Sequence, residues 1–332
     1  MASSQHSRLV HLLQAVFVDV AFYYMAAQAK IVVGSPGNVW LWSQDSGWDL
    51  TRHIGSNADS SEPRLLLKCE ISNVAIDPHK TALIIVDMQN FSMCSTLRPD
   101  TAVPAVFEVE EMLLKYAIPA ARKAEIQIIW LNWGLTESDL AAIPPGVLRV
   151  FNFKAASQEV DYGLSQNRER VQCGETPRPM GLGKELGEIL LPEGGKVVAG
   201  RVLMRDTWNV ALHGPLQSSF HEGQAAARQD VFIYKNRNSG LYDPDSELAQ
   251  YLRAHGICTL LFAGMNTDQC VMATLQDAHS WGYDTILLKN GCATDSPNYA
   301  QQSAEYNCCR NWGFLSTCED FATACSYAEA RD

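Results

Sequence analysis

Three short apolar segments, each ending in polar residues with reactive side chains, constrain the fold of this chain most strongly. Residues 82–90 read ALIIVDMQN, residues 231–235 read VFIYK, and residues 261–271 read LFAGMNTDQCV. Each apolar run is typical of a buried strand. Because open α/β sheets bind ligands at the carboxyl edge of their parallel strands, Asp87, Lys235 and Cys270 are predicted to meet there. An acid, an ammonium and a thiol at one place would form an activated cysteine nucleophile.

The rest of the chain predicts an α/β fold with a single doubly wound, mainly parallel six-stranded sheet flanked by helices. Strands are predicted over residues 82–87, 126–131, 231–234, 259–265, 285–288 and 314–317. Helices are predicted over residues 106–123, 246–255, 268–281 and from 297 to about 312. This alternation of strands with helices indicates a parallel sheet covered on both faces. Pro119 should kink the first helix or end it early.

The predicted domain organisation has two parts. Residues 1–70 form an N-terminal arm whose last part, residues 51–70, is interpreted as a polar linker. Residues 71–325 form the catalytic domain. The tryptophans at 40, 42 and 48 are expected to pack on this domain or on a partner subunit. Residues 135–230 are interpreted as a long insertion that covers the pocket, with a short helix at 136–142 and an extended pair near 186–203.

Composition excludes several classes of function. A net charge of −11 and a pI near 5.2 argue against a nucleic-acid partner, which requires a basic surface. The ten cysteines form no C-x-x-C pair and the histidines have no zinc spacing, so a reduced, cytoplasmic protein is expected. Residues 9–29 are mostly apolar but contain Asp19, which disfavours a membrane span. An amphipathic helix is the favoured interpretation there, and a secretory signal or N-terminal anchor stays open.

The same segments resemble the isochorismatase-like cysteine hydrolases over about residues 78–318. The most specific match is residues 263–271, AGMNTDQCV, and the second is Asp87-Met88-Gln89-Asn90 after an apolar strand. That family includes nicotinamidases, N-carbamoyl amidohydrolases, ureidoacrylate and biuret hydrolases, and isochorismatases. The resemblance implies a hydrolase of a small-molecule substrate. We expect no cofactor and a homo-oligomer.

Each member of the predicted triad has a structural alternative. Cys270 is the predicted nucleophile, and a helix N-terminus together with Lys235 should lower its pKa, but a lone cysteine is by default structural. Asp87 is the predicted general base and acid, although an aspartate at a strand end can simply cap a turn. Lys235 requires a charged partner if it is buried, or it extends to water if it lies beyond the strand.

The resemblance also implies an oxyanion hole. Members of the family have a cis peptide shortly before the nucleophile, and the matching bond here is Met265–Asn266. The backbone N–H groups of Asn266 and Cys270 are then the expected donors to the oxyanion.

The resemblance further bears on metal binding. Many nicotinamidases carry an Asp-x-His arrangement after the second strand that holds a metal, whereas this chain has Asn132-Trp133-Gly134. We therefore expect no metal, and nicotinamide is not the expected substrate. Asn132 and Trp133 are predicted to face the pocket as a polar handle and a stacking wall, with Trp133 as a core residue the equal alternative.

Four further residues are candidates for substrate contacts. Asn90 and Phe91 follow the predicted acid, and Arg237 and Tyr242 follow the predicted lysine. Arg237 would bind a substrate carboxylate through a bidentate contact, or it lies at the surface.

Three functions are compatible with this sequence. The favoured one is hydrolysis of an amide or ureido C–N bond through a thioester. The second is vinyl-ether hydrolysis of an isochorismate-like substrate with Asp87 as general acid, which requires no cysteine. The third is a catalytically silent binding protein of the same fold. The presence of Cys270 favours the first.

Overall fold

The computed structural model describes residues 30–53, 64–98, 104–152 and 181–327, and three β-sheets form there. The strands, in chain order, are β1 (Ile31–Ser35), β2 (Asn38–Ser43), β3 (Gly47–Asp49), β4 (Leu65–Leu67), β5 (Val74–Ile76), β6 (Thr81–Val86), β7 (Gln127–Trp133), β8 (Glu188–Leu190), β9 (Lys196–Val198), β10 (Val231–Lys235), β11 (Thr259–Met265), β12 (Asp284–Ala293) and β13 (Phe314–Ser316).

The central sheet has six strands in the order β10-β7-β6-β11-β12-β13, and every neighbouring pair is parallel. All residues of β6, β7 and β11 are buried, because helices cover both faces of the sheet. The predicted fold class is therefore confirmed. The chain leaves β6 towards β7 and β10, then returns to the other side of β6 with β11. The crevice between the carboxyl ends of β6 and β11 is thus the switch point at which such sheets bind ligands.

The helices connect and cover these strands. They are α1 (Asn90–Met93), α2 (Pro104–Met112, continued by a π-helical turn Leu113–Ala117 and by Ile118–Lys123), α3 (Glu137–Ala141), α4 (Pro145–Asn152), α5 (Gly214–Gly223), α6 (Glu247–Ala254), α7 (Met272–Ser280), α8 (Asn298–Asn307) and α9 (Cys318–Tyr327). Of the two alternatives predicted for Pro119, a kink or an early end of α2, the early end is wrong. The π-helical turn ends at Ala117, two residues before Pro119, which has no N–H to donate, and the helix continues to Lys123.

Two apolar layers enclose the central sheet. On one face, Leu83 and Ile85 of β6 pack with α2, α9 and strands β4 and β5. On the other face, Ile84 and Val86 pack with α6, α7 and α8. The period of two in β6 thus assigns alternate side chains to opposite layers.

The N-terminal residues 30–53 and 64–76 form a five-stranded sheet in the order β1-β2-β3-β5-β4. Leu65 and Leu67 of β4 are buried in the same cluster as the central sheet, so the linker interpretation is wrong for residues 65–67. Residues 54–63 of the predicted linker lie outside the described residues. The boundary between an arm and a catalytic domain at residue 70 stays a prediction.

A buried carboxylate attaches this sheet to the domain. Asp284, at the start of β12, accepts hydrogen bonds from Trp40 Nε1 at 2.7 Å and from both terminal nitrogens of Arg52 at 2.7 and 2.8 Å. Thr259 Oγ1 also donates to it at 2.7 Å. Trp40 therefore packs on its own domain, as one of the two interpretations expected. The predicted helix or signal at residues 9–29 lies outside the described residues, and among those described no helix is long and apolar enough to cross a membrane.

The insertion covers the end of β7. The predicted short helix and extended pair are confirmed as α3 and as the antiparallel pair β8–β9. Helices α4 and α5 were not predicted. Val202, Leu203 and Val210 of the insertion pack in one cluster with Trp133 of β7. Residues 153–180 of the insertion lie outside the described residues.

Candidate active site

Asp87 leaves the sheet immediately after β6. Its φ of 53° lies in the left-handed region, which is uncommon for a residue with a side chain and turns the chain sharply out of the strand. The adjacent strand β11 approaches closely at Gly264, where a Cβ would lie 2.1 Å from the carbonyl oxygen of Val86. The Ala-Gly-Met sequence of β11 therefore allows the nucleophile loop to come close to the acid.

Lys235, the last residue of β10, points its ammonium at this acid. Its Nζ lies 2.9 Å from Asp87 Oδ2, and the side chain is only 1% exposed. Nζ also donates to the carbonyl oxygen of Arg237 at 3.2 Å and lies 4.2 Å from the ring centroid of Trp133. A carboxylate, a carbonyl and an aromatic face thus replace the water that burial removes. The alternative in which Lys235 extends to water is wrong.

Cys270 lies in a π-helical turn, Thr267–Val271, that leads from β11 into α7. The residue as a whole is half-buried, and its thiol is buried facing the carboxylate of Asp87. The three predicted triad residues therefore meet at the carboxyl edge of the sheet. The expectation of a lowered pKa is wrong, because burial raises the pKa of Cys270 to about 12 although Lys235 opposes the rise.

The carboxyl group of Asp87 is a stronger base than an ordinary aspartate. Burial raises its pKa, and this effect outweighs the opposing attraction of Lys235 and the hydrogen bonds from Cys270 and Trp133. The backbone N–H of Trp133 donates to Asp87 Oδ1 at 3.1 Å and to Gln89 Oε1 at 2.9 Å. Asp87 is thus oriented by fixed donors while it keeps the affinity for a proton that a general base needs.

The Met265–Asn266 peptide is cis, as expected. Asn266 is the N-cap residue of the turn that carries Cys270, and its side-chain Nδ2 donates to Asp295 Oδ1 at 2.7 Å. The role of the backbone N–H groups of Asn266 and Cys270 as oxyanion donors stays a prediction.

The structure separates Trp133 from Asn132. Trp133 and Phe91 lie in the apolar cluster that also contacts Cys270. Asn132 alternates with Trp133 along β7, so its side chain lies on the opposite face of the sheet, where Nδ2 donates to the carbonyl of Val210 at 3.1 Å. Trp133 therefore lies buried beside the triad, whereas the side chain of Asn132 points away from it; a substrate contact by either residue stays a prediction.

Asn90, Arg237 and Tyr242 are less closely associated with the thiol of Cys270. Asn90 is buried and donates to the carbonyl of Trp208 at 2.9 Å. The guanidinium of Arg237 donates to the carbonyl of Asn236 at 2.7 Å and lies 5.4 Å from the ring of Tyr242, which is 45% exposed. Substrate contacts by these residues stay predictions.

The expected absence of a metal site also stays a prediction. Among the described residues, no three His, Cys, Asp or Glu side chains form a group that could hold a metal ion.

The sequence interpretation missed the contributions of Gln89 and Asn209. Gln89 is fully buried and shares the Trp133 N–H with Asp87. Its position two residues after the acid was the available signal. Asn209 is fully buried and donates to the carbonyls of Ala199 and Arg201, so it holds the insertion together. No local pattern marks such a residue.

Comparisons with known proteins agree with this fold. A family model described as Isochorismatase domain matches residues 196–307. Ureidoacrylate amidohydrolase RutB of Methylorubrum extorquens is 30% identical over 261 residues, which cover 78% of this chain and 88% of that protein. RutB of Stutzerimonas stutzeri is 29% identical over 282 residues, covering 83% and 96%. The crystal structure of a cysteine hydrolase from Pseudomonas syringae pv. phaseolicola is 19% identical, covers 81% of this chain and 99% of its own, and has a TM-score of 0.51, a likeness of fold alone.

Proposed function

This chain belongs to the isochorismatase-like family of hydrolases, and we propose that it is a cysteine-dependent amidohydrolase of a small amide or ureido compound. The observation that carries the proposal is the buried pair of Asp87 and Lys235, 2.9 Å apart, beside the thiol of Cys270. Nucleophile, base and compensating cation are thus adjacent without further rearrangement.

In the first half-reaction, the thiol proton moves to Asp87 while the sulfur attacks the carbonyl carbon of the substrate. The resulting tetrahedral oxyanion would accept hydrogen bonds from the backbone N–H groups of Asn266 and Cys270. The C–N bond then breaks, and the proton held by Asp87 goes to the leaving nitrogen. An amine or ammonia departs, and a thioester remains on Cys270.

In the second half-reaction, Asp87 is again a carboxylate and can remove a proton from water. The hydroxide equivalent attacks the thioester carbon, the C–S bond breaks, and the proton on Asp87 returns to the sulfur. The acid product leaves and the thiol is restored. Lys235 compensates the buried negative charge throughout, whether that charge lies on the carboxylate or on the sulfur.

The relatives support a ureido group in the substrate. The proteins that match most of this chain are named ureidoacrylate amidohydrolases, and their identity of 26–30% leaves room for a different side group. We therefore propose ureido acids and primary amides as the substrate class.

A panel of ureido acids and primary amides, assayed for ammonia release, tests the proposal. Cys270→Ala should lower turnover at least about a thousandfold, since the only nucleophile of the mechanism is lost. Cys309→Ala is the matched control, because Cys309 is also half-buried but lies in the turn after α8. Equal turnover in both variants would refute the covalent mechanism. Turnover of isochorismate that survives Cys270→Ala would favour vinyl-ether hydrolysis.

A further inference from the structure

The loop that carries the nucleophile, residues 266–270, is held by residues that follow β12 and lie outside the triad. Asn266 Nδ2 donates to Asp295 Oδ1 at 2.7 Å, and Gln269 Nε2 lies 3.5 Å from the same oxygen. Next to them, Thr294 Oγ1 donates to Asp268 Oδ1 at 2.5 Å. Three side chains of the nucleophile loop are thus held by two consecutive residues.

Asp295 also contacts the loop that follows the acid. Its Oδ2 lies 3.7 Å from a terminal nitrogen of Arg98, and the Arg98 guanidinium carbon lies 5.4 Å from the ring centroid of Phe91. Phe91 is buried in the cluster that contacts Cys270. One carboxylate therefore connects the loops after β6, β11 and β12, which together form the edge of the site.

The contact with Asp295 fixes the carboxamide of Asn266. The Oδ1 atom of Asn266 is buried and, within the described part of the chain, has no hydrogen-bond partner. The side chain is therefore oriented through Nδ2, and an ionised acceptor makes that bond stronger than a bond between neutral groups.

We propose that Asp295 is a positioning residue of the reaction, which acts through Asn266 to hold the oxyanion donors in place. The inference rests on the proposed function. A misplacement of about 1 Å in such a site can lower the rate roughly a hundredfold. Loss of the Asp295 acceptor should therefore lower kcat and leave substrate binding nearly unchanged.

The test compares Asp295→Ala, Asp295→Asn and a control. Asp295→Ala should lower kcat roughly 10- to 100-fold with KM within about threefold, whereas Asp295→Asn keeps an acceptor oxygen and should retain most of kcat. Asp320→Ala is the control, because the side chain of Asp320 is about as exposed as that of Asp295, 29% against 21%. Asp320 also makes similar contacts, since it pairs with Lys68 at 3.3 Å and accepts a hydrogen bond from Thr317 Oγ1 at 3.0 Å. The Asp320→Ala variant should lose comparable thermal stability and keep full kcat.

A double-mutant cycle then separates positioning from a general structural role. If Asp295 acts through Asn266, adding Asp295→Ala to Asn266→Ala should cost no further activity. The proposal would be overturned if Asp295→Ala kept full kcat, or if Asp295→Asn or Asp320→Ala lost as much kcat as Asp295→Ala. It would also be overturned if the losses of kcat in the double-mutant cycle were additive. If Asp295→Ala does not fold, a hundredfold loss of kcat in folded Asp295→Asn would overturn it.

These outcomes are distinct from failure of the proposed function. That failure would appear as no hydrolysis by the wild-type protein, or as hydrolysis that survives Cys270→Ala. Failure of the positioning proposal would appear in an enzyme whose hydrolysis still depends on Cys270.

Discussion

Replacement of Lys235 by methionine tests the charge balance of the site most directly. The substitution keeps the apolar stem and removes an ammonium that is 1% exposed and lies 2.9 Å from Asp87 Oδ2. Removing one partner of a buried ion pair costs about 3–5 kcal/mol, because the other charge remains buried without compensation. For a domain of this size, that cost lowers the melting temperature by roughly 5–10 °C.

The stability that Lys235→Met loses should depend on pH, and the direction of this dependence follows from the pKa of Asp87. Burial already raises the pKa of Asp87, so its contribution to stability is fully present below the unfolded pKa of about 3.9 and is lost as pH rises through the folded pKa. Without Lys235 the pKa of Asp87 rises further, because an attraction that lowers it is removed. The stability deficit of Lys235→Met should therefore be larger at high pH than at a low pH close to the unfolded pKa of about 3.9.

Urea unfolding and ammonia release at both pH values provide the measurement. Lys68→Met is the matched control, since Lys68 is 75% exposed and its pair with Asp320 is worth under ~1 kcal/mol. Asp87→Asn combined with Lys235→Met removes both charges and should abolish the pH-dependent part of the deficit. If Lys235→Met matches Lys68→Met in stability at both pH values and keeps full turnover, the reasoning about the ion pair is refuted.

Three further predictions concern other properties of the site and the fold. Iodoacetamide labelling of Cys270 should still increase with pH above the ordinary cysteine value of about 8.5, because burial raises its pKa to about 12, and a plateau below about pH 8 would contradict this. Arg52→Ala should destabilise the fold by about 3 kcal/mol in urea unfolding, because it leaves the buried carboxylate of Asp284 without its cation. The exposed control Lys196→Ala should cost under ~1 kcal/mol. Equal urea midpoints for the two variants would contradict the prediction. Activity should survive chelators without added metal, and loss restored by zinc or iron would contradict the expectation drawn from Asn132 and Trp133.

The predicted triad could be located from the sequence because each member lies at or shortly after the end of an apolar strand. In a parallel sheet, strands that are apolar on both faces show as continuous runs, and their carboxyl ends lie at one edge. Asp87 follows β6 directly and Lys235 ends β10, so a local pattern sufficed to place them together. The same pattern could not separate Asn132 from Trp133, because the predicted strand ended at residue 131 and β7 includes both.

The N-terminal sheet could not be predicted in the same way. Strands β3, β4 and β5 have three residues each, which is too short for a periodic pattern to show. Their attachment depends on Arg52 and Asp284, which are far apart in the chain. Such long-range pairing is a property of the tertiary structure and leaves no local signal.

The pKa shift of Cys270 was predicted in the wrong direction, because the local sequence shows which charges and helix ends lie near the thiol but does not show how deeply the thiol is buried. A helix N-terminus and a lysine both favour a thiolate, yet the thiol packs between two apolar clusters beside a carboxylate. Burial raises the pKa more than the nearby ammonium lowers it.

A neutral thiol is also what the charge balance of the site requires. With Asp87 ionised, Lys235 charged and Cys270 protonated, the buried groups sum to zero. Loss of the thiol proton to water would leave two negative charges against one ammonium in a desolvated site. Transfer of that proton to Asp87 keeps the sum at zero, because the negative charge moves from oxygen to sulfur while Lys235 faces both. The sulfur should therefore ionise only as the carboxylate takes its proton. The pH dependence of turnover should then report the proton content of the coupled Asp87–Cys270 pair rather than a pKa of either residue alone.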